Sequence, residues 1–204
     1  MDIERRFTTS ELRAEGEEGR TIAGYAAVFN SLSQVLWGFR EKIAPGAFAD
    51  ALGDDVRALW NHDTGIVLGR TKSGTLRLHE DEVGLRIEVD PPESAAAYLE
   101  SIKRGDVDQM SFGFNTLEDD WNEDDQGQII RTLRKVKLFE VSPVTFPAYT
   151  ATSVGVRSDE IYGFIPEIPA ELRRATGEAD DSQKAAARAR GAQRRRRLWL
   201  LNQR

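Results

Sequence analysis

The chain has two histidines, and the residues around His62 are the ones able to do chemistry. His62 stands in Leu59-Trp60-Asn61-His62-Asp63, a short strand-like run that ends in a turn. Two later segments are able to meet it: Gln109-Met110-Ser111-Phe112-Gly113-Phe114 and Leu138-Phe139-Glu140-Val141-Ser142-Pro143. A histidine, a serine flanked by aromatics and glycine, and a strand-borne glutamate are the parts of a nucleophile–base–orienter triad. Such a triad is defined by geometry and not by order along the chain. Serine is a weak nucleophile at neutral pH and needs a base to take its proton. A neutral imidazole can do so and later return the proton to a leaving amine. A carboxylate on the far ring nitrogen fixes the tautomer and stabilises the imidazolium.

Each piece also has a plainer reading. His62 alone is a hydrogen-bonded residue after a strand, Ser111 a small strand residue, and Glu140 a solvent-facing one, because its neighbours Phe139 and Val141 are apolar. A glutamate turned into a site instead needs a partner such as an imidazole. Gly113, two residues past Ser111, is expected to leave room for a substrate backbone. Arg70, in Leu68-Gly69-Arg70-Thr71, either binds substrate or pairs with an acidic side chain, and the structural role is favoured. His79 precedes Glu80-Asp81-Glu82 and reads as solvated. With no cysteine and only these two histidines, a catalytic metal is not expected. The Asp119–Asp125 cluster lacks the ligand order of a calcium loop, and nothing calls for a cofactor. A Gly-x-Ser-x-Gly motif is absent, which argues against an α/β-hydrolase esterase.

The elements that must position these residues are mostly strands. Strands are expected at 21–29, 35–43, 56–61, 66–71, 74–79, 83–89, 109–117, 128–133 and 134–146. Leu76 and Leu78, then Leu85, Ile87 and Val89, keep the two-residue period of half-buried strands. Pro45 through Gly53 predicts a short helix. Ser94 to Arg104 predicts a longer one, with Ala95, Tyr98, Leu99 and Ile102 on one stripe and Gly105 closing it. Glu118 to Gly127 reads as an acidic hairpin. The fold class is β-rich α+β, a small barrel or sandwich with helices packed outside. The chain divides into a lead-in over 1–19, one domain over 20–157, and a flexible basic extension over 158–204.

With 204 residues and 40% apolar composition, the chain is long enough for one core, and a mean hydropathy of -0.49 points to polar ends. The net charge of -6 hides an asymmetry. Residues 182–204 carry eight Lys/Arg and no Asp/Glu, so residues 1–181 have a net charge of -14. An acidic body makes a poor nucleic-acid binder; a basic tail is an interaction arm. The arm ends in Arg194-Arg195-Arg196-Arg197-Leu198-Trp199-Leu200-Leu201 and suits acidic protein segments, with nucleic acid as a competitor for the same charges. No apolar run approaches the ~18–20 residues of a membrane span, and Met1 to Phe7 lack the apolar stretch of a signal peptide. A cytoplasmic protein is expected.

Six blocks carry a family resemblance: Gly24 to Asn30, Glu41 to Phe48, Leu59 to Asp63, Leu68 to Thr71, Met110 to Phe114, and Glu140 to Tyr149. Their sequences and order resemble the HK97-type prohead proteases of tailed bacteriophages over about residues 20–157. The resemblance implies a serine endopeptidase that cleaves capsid or scaffold protein, and itself, inside an assembling prohead in the host cytoplasm. It implies His62 as base, Ser111 as nucleophile and Glu140 as third member. It also implies a herpesvirus-protease-like fold, a mostly antiparallel barrel of about seven strands wrapped by helices, and a homodimer by analogy. Those relatives build their oxyanion hole near arginines downstream of the third member; here Thr145 to Tyr149 contain none, so those donors stay unassigned. The alternative reading is a non-catalytic scaffold or capsid-interior binding protein with the same fold.

Overall fold

A computed structural model describes residues 3–8, 12–16, 19–145 and 163–173. Ten strands run in order: β1 (Glu4–Thr8), β2 (Arg13–Glu15), β3 (Thr21–Val28), β4 (Phe39–Ile43), β5 (Arg57–Trp60), β6 (Asp63–Arg70), β7 (Leu76–Glu80), β8 (Gly84–Val89), β9 (Gln109–Glu123) and β10 (Ile129–Val144). Two α-helices accompany them, α1 (Ala96–Lys103) and the short α2 (Ala170–Arg173). The β-rich class with few helices is what the period-two patterning predicts. No closed barrel is seen among the described residues. Among the described residues the strands form two sheets, and neither closes on itself.

One sheet is antiparallel, in the order β2-β3-β8-β7. The other is mixed and runs β1-β9-β10-β5-β6, with β4 also paired to β10. The parallel pairs are the departure from the expected topology. Phe39–Ile43 run parallel to Ile129–Leu133, and Arg57–Ala58 run parallel to Glu140–Val141. Both therefore lie on one edge of β10, and β9 occupies the other. Between them Ala44 N–H donates to Leu133 O at 3.0 Å, and Val136 N–H donates to Ala47 O at 3.1 Å. The segment at 45–53, expected as a helix, is a set of turns followed by a 3-10 helix over Ala49–Gly53.

β9 and β10 are longer than the alternation predicts. The acidic stretch from Glu118 to Glu123 belongs to β9, and only the tip turns, with Gly127 N–H bonded to Asp124 O at 3.0 Å. Asp119 and Asp120 stay in the strand because Arg131 and Arg134 neutralise them at 2.6 Å each. The strand expected at 35–43 begins only at Phe39, because Trp37 and Gly38 take positive φ of 47° and 97° and make a tight reversal. The helix from Ser94 starts with a 3-10 turn and becomes α-helical at Ala96. It buries Ala95, Leu99 and Ile102 against the core and sets Tyr98 on the Trp60 ring, with centroids 4.7 Å apart.

The core lies between the sheets. Phe112 stacks on Phe114 at 5.0 Å and meets Phe48 edge-on at 5.6 Å. Phe112 and Phe114 face Val141 and Leu138 across the ladder. Leu138 and Val141 are three residues apart, and an uninterrupted strand would send them to opposite faces. A bulge at Phe139 takes up the extra residue, so both point inward. Glu140 and Ser142 are thereby turned to the other face.

The lead-in is part of the sheet: Glu4–Thr8 pair antiparallel with Phe114–Met110. Two of its residues, Glu4 and Arg6, enter a buried ion network. Arg6 Nε donates to Glu41 Oε1 at 2.7 Å and its Nη2 to Glu4 Oε2 at 2.8 Å. Arg131 Nη1 reaches Glu4 at 2.5 Å and Glu41 at 2.9 Å, while its Nε binds Asp119. The chain returns to the same place near its other end, where Gly163 bridges to Glu4 and Ile168 and Leu172 pack on Leu36, Phe39 and Ile129. The basic tail at 183–204 lies outside the described residues.

Burial pushes the Glu4 carboxyl up, but the Arg131 hydrogen bond and the charges of Arg6 and Arg131 outweigh it, and the net direction is down. A carboxyl with a lowered folded pKa adds stability above its unfolded value, about 4.3, and loses it as pH falls through the folded value. Glu4→Gln should therefore destabilise by about 3–5 kcal/mol near pH 7. In urea unfolding the gap between variant and wild type should narrow from about pH 5 downward. A gap of constant size across that range would contradict the ionised network.

Candidate active site

His62 is delivered by a two-residue hairpin. Trp60 pairs with Asp63, leaving Asn61 and His62 as the turn, with φ of 51° and 63°. Positive φ at both positions matches the twist of paired strands. Asparagine adopts it readily and histidine less so, which makes the position of His62 a feature to explain. The tip is fastened to the end of β10. Asn61 N–H donates to Pro143 O at 3.0 Å, and Thr145 N–H donates to Asn61 Oδ1 at 2.8 Å. Asn61 Nδ2 donates to Thr145 Oγ1 at 3.0 Å. These bonds carry the turn to the face where β9 and β10 present their polar residues.

On that face the ladder forms two rows. Phe7, Ser111 and Ser142 make one across β1, β9 and β10, and Arg5, Gly113 and Glu140 make the next. His62 lies against both. Its Nδ1–H donates to Glu140 Oε1 at 2.6 Å, and its ring meets Phe7 edge-on with centroids 6.0 Å apart. The second carboxylate oxygen, Oε2, accepts from Ser142 Oγ at 2.5 Å. Arg5 Nε stands 4.0 Å from Oε1. Glu140 is thus 8% exposed, away from bulk solvent, with the imidazole as the partner that such burial demands.

Two polar atoms are left over. His62 Nε2 and Ser111 Oγ are both buried and make no hydrogen bond. Orphaned buried polar atoms are uncommon and call for a reason. Their chemistry is complementary. With Nδ1 donating to a carboxylate, Nε2 of the neutral ring is the acceptor, and Ser111 Oγ is a donor. Both cross-strand neighbours of Ser111 touch the same assembly: Phe7 meets the imidazole and Ser142 meets its carboxylate. The arrangement can accept a serine proton at Nε2 and stabilise the resulting imidazolium through Glu140.

Gly113 has a different use from the one expected. A Cβ there would stand 2.5 Å from Glu140 Oε1 and 3.1 Å from its Cγ. The space it leaves is filled by the carboxylate, not kept for a substrate backbone. Arg70 is not at the site. It pairs with Arg57 at the far end of the hairpin from His62 and binds Asp55 through Nε at 2.6 Å and Nη2 at 2.5 Å. Those hydrogen bonds hold the Asp55 carboxyl down to about 2. His79 is exposed on β7 in the other sheet. Among the described residues no group of three or more acidic or histidine side chains could hold a metal ion. No described helix is long and apolar enough to cross a membrane. Residues 146–149, in the stretch that corresponds to the relatives' oxyanion-hole region, lie outside the described residues.

Four neighbours escaped sequence reasoning: Arg5, Phe7, Asn61 and Ser142. Ser142 carried a signal, since it sits two residues beyond Glu140 and so shares its face of the strand. Arg5 and Phe7 were hidden because Glu4 and Arg6, the residues alternating with them, are charged and yet point inward.

Residues 8–164 match the family described as caudovirus prohead serine protease. The chain belongs to this family. A prohead protease of Enterobacteria phage HK97 is 33% identical over 150 residues, which cover 70% of this chain and 62% of that protein. The chain thus matches less than two thirds of that relative's length. No solved structure matches the chain. The matched region contains His62, Ser111, Gly113 and Glu140, and β1 up to Phe7 precedes it.

Gly113→Ala tests the carboxylate pocket. The added methyl group should push Glu140 off Nδ1 at a cost of about 1–3 kcal/mol. The downfield imidazole N–H proton in NMR spectra should then shift or vanish. An unchanged resonance would mean that Gly113 does not shape the site.

Proposed function

We propose that this chain is a serine endopeptidase that cleaves capsid and scaffold protein, and itself, during bacteriophage head assembly. The observation that carries the reading is the state of His62: Nδ1 is bound to a buried carboxylate, and Nε2 is buried without a partner while Ser111 Oγ is too. Membership of the prohead serine protease family supports the choice of substrate class.

In this reading Ser111 Oγ attacks the scissile carbonyl carbon as Nε2 of His62 takes its proton. The tetrahedral intermediate collapses, the C–N bond breaks, and the imidazolium gives that proton to the leaving amine. Water, activated by the same nitrogen, then hydrolyses the acyl ester and regenerates Ser111. Glu140 keeps the Nδ1–H oriented and offsets the positive charge at each stage. Ser111 is fully buried, so attack requires the covering side chains to open for the scissile carbonyl, as apo sites often require.

In this reading the enzyme acts inside the assembling prohead in the host cytoplasm, with the major capsid protein and its scaffold region as partners. The basic tail would dock on acidic scaffold segments. Kinship with the herpesvirus assembly proteases, and with it a homodimer, belongs to the same proposal.

Incubation with the phage's own capsid protein tests the chemistry. Ser111→Ala and His62→Ala should each lower cleavage by at least about a thousandfold, and the double variant should lose no more, because the two act as one unit. Glu140→Gln should cost less. Circular dichroism should show all four variants folded. Cleavage by Ser111→Ala at the wild-type rate would rule out the serine mechanism. Binding of capsid protein without cleavage by the wild type would favour a scaffold role.

A further inference from the structure

Ser142 is fully buried on β10, two residues past Glu140 and directly across from Ser111. Its Oγ–H donates to Glu140 Oε2 at 2.5 Å. A carboxylate has two oxygens, and its plane is fixed only when both are held. His62 holds Oε1; Ser142 is the side chain that holds Oε2. Arg5 stands 4.0 Å from Oε1 and its Nε donates to nothing, so it supplies charge nearby without fixing direction. A hydroxyl suits the place, because it donates one hydrogen bond to the anion and adds no charge that would compete with the imidazole.

We infer that Ser142 is a positioning residue for peptide cleavage, acting through Glu140 on His62. By holding Oε2 it keeps Oε1 aimed at Nδ1, and so keeps Nε2 available as the acceptor. Loss of the hydroxyl would leave Oε2 buried and unpaired, and the carboxylate would be free to turn away from the ring. Ser142 does not touch the scissile bond. The inference rests on the reading of Ser111 and His62 as nucleophile and base.

The test compares wild type, Ser111→Ala, Ser142→Ala and Ser142→Thr on a capsid-derived peptide, with the imidazole N–H resonance recorded for each. Ser142→Ala should lower kcat by about ten- to a hundredfold with KM nearly unchanged, the size expected for one hydrogen bond to a charged group. Its imidazole resonance should move. Ser142→Thr, which keeps the hydroxyl, should recover most of kcat. Wild-type kcat and an unmoved resonance in Ser142→Ala, beside an inactive Ser111→Ala, would overturn the inference while sparing the serine mechanism. Activity retained by Ser111→Ala would instead overturn the reading beneath it. If Ser142→Thr does not fold, the kinetics and resonance of Ser142→Ala decide alone.

Discussion

The rest of the site depends on one buried carboxylate fastened at both oxygens. Glu140 binds His62 Nδ1 on one side and Ser142 Oγ on the other, in a space that exists because residue 113 has no side chain. A buried anion without such partners would be costly. Here the partners are the two groups that orient the imidazole and the carboxylate. Satisfying the charge and aiming the imidazole are therefore the same set of hydrogen bonds.

The bulge at Phe139 connects this pocket to the core. It lets Leu138 and Val141 both face inward while Glu140 and Ser142 face the site. β1 divides its side chains in the same way. Glu4 and Arg6 join the buried ion network, and Arg5 and Phe7 point to the row that holds His62. A cluster of paired charges adds little net stability compared with an apolar core, but mispairing it is expensive. A register slip of one residue would put Arg5 and Phe7 where Glu4 and Arg6 belong. The network thus fixes which face of β1 the imidazole meets.

Much of this was legible in the residues, and what was not has physical causes. Period-two patterning marked most of the strands, and the stripe of Leu99 and Ile102 marked α1. His62, Ser111 and Glu140 were singled out by residue type and neighbours. Strand direction was illegible, because alternation is the same for parallel and antiparallel neighbours; hence the parallel partners of β10, and the division of the described strands into two sheets, show only in the fold. β1 escaped because its inward residues are charged. Gly113 suggests room for substrate, because a glycine does not say what fills its space. Ser142 shows no role in the sequence, because a serine gains meaning only when its acceptor is known.

If Ser111 is a nucleophile activated by His62, a reagent that reacts only with activated serines will find it. Treatment of the folded protein with a serine-directed fluorophosphonate, followed by peptide mapping in a mass spectrometer, tests that activation most directly. One adduct should form, on Ser111, and it should be lost in His62→Ala. An adduct on Ser142, or labelling of Ser111 that does not depend on His62, would contradict activation of Ser111 by His62.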